Sequence, residues 1–83
     1  MKRKRQLASV NELQEATQTM ALIADLSRIV DILNVDIASS EQEAKVSDLA
    51  RPEYPALTRT LRARRDNLLE TISALRKRFE NLM

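Results

Sequence analysis

Cysteine, histidine, glycine and tryptophan are absent from these 83 residues, and tyrosine and phenylalanine occur once each. Without cysteine or histidine there are no disulfides, no thiolate nucleophiles, no zinc sites of the usual kinds and no imidazole general base. Only a carboxylate site for a hard cation such as magnesium stays open. With no glycine and only two prolines, tight β-hairpin turns lack their preferred residues, whereas helix is favoured throughout. The scarcity of aromatic rings leaves no platform on which nucleic-acid bases would stack.

Long uncharged hydrophobic runs are missing too. The most apolar window, Met20 to Ala38, contains Asp25, Arg28, Asp31 and Asp36, and a bilayer span would bury all four charges, so no membrane contact is expected. The opening Met1-Lys-Arg-Lys-Arg5 has the charge of a signal-peptide start, but Gln6 to Leu13 supplies no apolar run behind it. A cytoplasmic chain is the simpler reading.

What is present is charge in blocks. Residues 1–6 carry Lys2, Arg3, Lys4 and Arg5; residues 7–50 are acidic; residues 51–83 are basic, and the net charge is +2. Residues 1–8 read as a disordered basic tail. Ser9-Val-Asn-Glu12 then has the form of a capping box, in which the serine oxygen and the glutamate carboxylate satisfy orphan amides reciprocally. From there to about Ala50 nothing forces a stop, so one helix over 9–50 is expected. A three-helix arrangement broken at Ser39-Ser40 is the alternative. Pro52 and Pro55 in Arg51-Pro-Glu-Tyr-Pro55 mark the turn over 51–55, and a second helix follows over 55–82.

The second helix has a single apolar seam: Tyr54, Leu61, Leu68, Leu75 and Leu82 at seven-residue intervals, joined by Leu57, Ile72 and Phe79. The first has two rows. Leu13, Ala16, Met20, Ile23, Val30, Ile37 and Ala44 form one, interrupted by Ser27 and Asn34, and Leu22, Leu26, Ile29 and Leu33 form the other. Two apolar faces call for two neighbours, and one hairpin supplies one. The fold class expected is therefore all-α: a long antiparallel helical hairpin assembling as a four-helix-bundle homodimer or higher oligomer. Val10, Leu13, Met20, Leu22, Leu26, Ile29 and Leu33 are its expected interface. Another helical protein is the other partner such a face would accept.

Folding about Pro52 pairs positions whose numbers sum to about 105, which predicts Leu33 opposite Ile72, Val30 opposite Leu75, and an overhang before about Leu22. The same register puts Glu43 near Arg62 and Glu41 near Arg64 or Arg65, with Arg62–Asp66 and Arg76–Glu80 as pairs along the second helix. Arg59 and Arg65 are then left for a partner. Lys2, Arg3, Lys4, Arg5, Arg59, Arg62 and Arg65 compose the candidate polyanion contact, a nucleic-acid accessory role being the alternative function. The mixed sign of the second helix's outer face, where Asp66, Glu70 and Glu80 join the basic residues, argues for solvation or pairing instead.

No catalytic, cofactor or metal residue is expected. Arg28, flanked by Asp25 and Asp31 in an apolar stretch, is the strongest candidate for electrostatic catalysis, yet the same neighbours satisfy it as an ordinary bundle-edge residue. Asp31 and Asp36 are five residues apart and do not share a helix face. A small non-enzymatic interaction protein is the reading that remains.

Overall fold

The computed structural model describes residues 10–82. The basic tail and the Ser9 half of the capping box lie outside the described residues. Two helices compose the fold, α1 (Val10–Ala44) and α2 (Ala56–Leu82), and they pack against each other as a hairpin; no strand occurs among the described residues. The molecule measures 60 × 19 × 12 Å. With a helix about 10–12 Å across, the two shorter dimensions are two helices by one. Each helix therefore has a single neighbour, and a radius of gyration of 18.6 Å far exceeds the roughly 12 Å of a compact chain this long.

α1 runs without a break through Ser39 and Ser40, so the three-helix arrangement is not formed. It does end earlier than Ala50, at Ala44. Lys45 adopts a left-handed conformation with φ of 58°, its amide donates to the Gln42 carbonyl at 3.2 Å, and the Val46 amide donates to the Glu41 carbonyl at 3.2 Å. Those two bonds are the Schellman arrangement that normally uses glycine. With no glycine in the chain, a lysine occupies the position, and no sequence signal marked the stop.

Reversal accordingly occupies residues 45–55 rather than the proline pair alone. Asp48 organises its first half: its carboxylate accepts from the Ala50 amide at 2.9 Å and its carbonyl from the Arg51 amide at 3.0 Å. In the second half the Tyr54 amide donates to the Arg51 carbonyl at 3.1 Å, closing a turn with Pro52 at the position its fixed φ suits. Pro55 stands immediately before α2, and its carbonyl accepts from the Arg59 amide at 3.1 Å.

An earlier reversal shifts the register. The cross-helix pairs Ser40–Thr58 and Asn34–Arg65 have numbers that sum to 98 and 99, not the expected 105. α2 consequently reaches further along α1 than anticipated: Arg78 pairs with Glu15, and Ala16 and Thr19 are buried. The overhang shrinks from everything before Leu22 to the first turns of α1.

The seam differs from the expected row as well. α1 faces α2 with Ala16, Thr19, Ile23, Leu26, Val30, Leu33 and Ile37, each buried except for half-buried Leu26, while Leu13 and Met20 are exposed. Leu26 and Leu33 thus join the contact beside half-buried Ser27 and edge residue Asn34, and the two sequence rows merge into one seam. At its centre Ile23, Val30 and Ile72 cluster, with Leu26, Leu68 and Leu75 packed around them. On α2, Leu57 is exposed and Thr58 takes its place, fully buried, with Tyr54 beside it. No described buried polar side-chain atom lacks a partner: Thr19 donates to the Glu15 carbonyl at 2.7 Å, and the Thr58 hydroxyl bonds that of Ser40.

Candidate interaction surface

The sequence leaves the role of the α2 arginines open. Tyr54, buried where the loop meets α2, donates its hydroxyl to Glu41 Oε2 at 2.6 Å, and Arg62 Nη1 reaches the same oxygen at 3.3 Å. Glu41, rather than Glu43, is thus the partner of Arg62, which reaches along α1 to it. Burial first, and then the hydrogen bond to the Glu41 carboxylate, push the Tyr54 phenol above its ordinary range, with Arg62 opposing.

Arg59 stacks over the Tyr54 ring with its guanidinium carbon 5.1 Å from the centroid, and donates to the Leu49 carbonyl at 2.6 Å and the Arg51 carbonyl at 3.3 Å. Its guanidinium ties the loop to α2. Arg65 donates to Asn34 Oδ1 at 3.0 Å and to Asp66 at 3.1 Å, with its side chain largely withdrawn from solvent. Neither residue is left over for a partner, contrary to the expectation from the longer register. Arg64 is exposed and, unlike Arg59, is held by no hydrogen bond or ion pair among the described residues. The anticipated pairs Arg62–Asp66 and Arg76–Glu80 do not form; Asp66 is taken by Arg65. In the loop, Arg51 reaches Glu53 at 3.3 Å, and the Glu53 carboxyl sits below its usual range because a backbone amide and then that guanidinium favour its charged form.

Tyr54, Glu41, Arg62, Arg59, Ser40 and Thr58 together make a polar clasp at the loop end of the hairpin. Sequence reasoning found the acid-to-arginine complementarity but missed three members. Thr58 and Ser40 fall on seam positions by spacing, a signal present in the sequence but not used. The hold of Arg59 on main-chain carbonyls carries no sequence signal, since any backbone can offer it.

The chemistry available elsewhere is sparse. Arg28 pairs with Asp25, and both are more than half exposed, so Arg28 stands on the open surface with no enclosing pocket around it. Among the described residues no group of three acidic side chains converges as a metal site, and no helix is long and apolar enough to cross a membrane. A shallow hollow near the start of α1 has Val10, Leu13, Gln14, Thr17 and Gln18 in its lining.

The apolar surface is more distinctive. Of the expected interface residues, Leu33 is buried within the hairpin and Leu26 packs against its core, so those two serve the seam of their own chain. Val10, Leu13, Met20, Leu22 and Ile29 stay exposed, and Ile32 and Val35, which sequence reasoning had not singled out, are 60% and 64% exposed beside them. α1 is thus apolar on nearly every side while only one side is covered. Comparison with protein-family models, curated proteins and solved structures finds no match to this chain.

Proposed function

We propose that this chain is a small, non-enzymatic structural or adaptor protein that works by associating with itself, two hairpins closing into a four-helix bundle with the α1 helices near the centre. The observation that carries this is the large aliphatic surface of α1: Leu22, Ile29, Ile32 and Val35 are 42–64% exposed on a slab one helix thick. A helix apolar on more than one side is stable in water when a second neighbour covers it, and burial at about 25 cal/mol per Å² is what a lone hairpin of this size lacks. The proposal keeps the cytoplasmic location read from the sequence. A nucleic-acid accessory role draws less support, because Arg62 and Arg65 are engaged with acids and Arg59 with carbonyls of their own chain.

Sedimentation equilibrium at micromolar concentration tests the reading. The expected mass is a multiple of the 9.5 kDa chain, and a folded monomer would overturn it. Titrating salt against binding to random duplex DNA tests the other role: retention at low ionic strength that falls steeply with salt would move the arginines and the basic tail to the functional surface.

A further inference from the structure

Resting on the self-association proposed above, we infer that the second copy docks antiparallel, α1 against α1, about a two-fold axis level with Ser27. Gln18, Leu22, Asp25, Ile29, Ile32 and Asp36 recur at alternating spacings of three and four, so they share one flank of α1 next to the seam. All six are exposed in the single hairpin. The apolar members offer the burial, while the two aspartates decide the orientation.

Parallel pairing along this flank sets each residue beside its own copy. Asp25 then faces the partner's Asp25, and Asp36 faces the partner's Asp36. Two like-charge contacts would sit inside the apolar row, where separation from water strengthens their repulsion. Antiparallel pairing about Ser27 removes both: Leu22 meets the partner's Ile32, Asp25 lies beside the partner's Ile29, and Asp36 meets the partner's Gln18, whose amide is a donor for it. At the rim, Arg28, already paired with Asp25 of its own chain, comes nearly level with the partner's Asp25. Each Arg28 thus has an aspartate of the opposite copy within one residue of its own level.

Residues 10 and 44, the limits of α1 as described, are equidistant from Ser27, so the described spans of the two α1 helices overlap throughout, and each exposed aliphatic of the flank has a counterpart.

The chain has no cysteine, so introduced thiols report without interference. In a glutathione redox buffer, a mixture of the Leu22→Cys and Ile32→Cys variants is expected to form the mixed disulfide. Leu22→Cys alone is expected not to self-link, because its two copies stand ~15 Å apart along the axis, beyond the ~7 Å Cα reach of a disulfide. A nitroxide on Gln18→Cys, whose exposed position leaves the hairpin core untouched, supplies a second reading by pulsed EPR: an axial separation of about 27 Å, against roughly 10 Å for parallel helices. The mixed disulfide with the long distance supports the inference. A dimer in which Leu22→Cys self-links, or in which the Leu22 and Ile32 thiols do not join and the short distance appears, overturns the orientation and leaves self-association standing. A monomer by sedimentation overturns both.

Discussion

Leu33→Ala asks where the hairpin seam runs, because the sequence placed this side chain at an interface between chains and the structure buries it, 6% exposed, against α2 of its own. The change removes three buried carbons, worth about 2.5 kcal/mol at ~0.8 kcal/mol each. The cavity left on a rigid seam raises the cost into the range of about 3–4 kcal/mol. For a domain of this length 1 kcal/mol moves Tm by roughly 4–8 °C, so a fall of at least about 12 °C is expected. Urea titration followed by far-ultraviolet circular dichroism should show the midpoint drop with the slope unchanged. Met20→Ala is the matched control. Met20 lies in the other sequence row and is 50% exposed, and its truncation should cost the hairpin less than about 1 kcal/mol. Ile29→Ala separates the two kinds of contact: its cost should grow with chain concentration as dimer populates, whereas the hairpin term of Leu33→Ala persists at the lowest concentration measured. A Leu33→Ala cost below about 1 kcal/mol at low concentration, or a Met20→Ala cost equal to it, would refute the seam described above.

Further expectations concern the loop and the clasp. Lys45→Gly should raise stability by roughly 0.5–1 kcal/mol, since relief of the left-handed lysine outweighs the added freedom of the unfolded chain; a lower melting temperature would contradict the Schellman stop. Because burial and Glu41 raise the Tyr54 pKa, the folded state holds the phenol proton more tightly than the unfolded chain does. That contribution is complete below the ordinary tyrosine value near 10 and is lost as pH climbs from there through the raised value. Melts between about pH 8 and 11.5 should fall more steeply for the native chain than for Tyr54→Phe, and coincident profiles would dismiss the Tyr54–Glu41 bond. Glu41→Ala should cost about 1–2 kcal/mol by stranding Arg62 and the Tyr54 hydroxyl, and Glu43→Ala less than about 0.5 kcal/mol. The reverse order, read from the same urea titrations, would restore the longer register.

Composition and spacing by themselves determined that the chain is helical, that it folds back once near Pro52 and Pro55, and that acids of α1 meet arginines of α2. Each of these is a local property: no glycine or cysteine, seven-residue recurrence from Tyr54 to Leu82, proline that cannot continue a helix. Which face of α1 forms the seam was decided only in the tertiary structure. A helix with apolar residues on nearly every side has no single period that selects a stripe, and Leu26 and Leu33 joined the seam because the facing α2 row rewards apolar over polar burial, leaving Asn34 at its edge to accept from Arg65. The register was equally beyond reach. It depends on where α1 stops, and Lys45 stops it in a conformation for which lysine is no signal. Moving that stop re-paired the arginines at the start of α2, so that Arg62 found Glu41, Arg65 found Asn34, and Arg59 closed on the carbonyls of the loop.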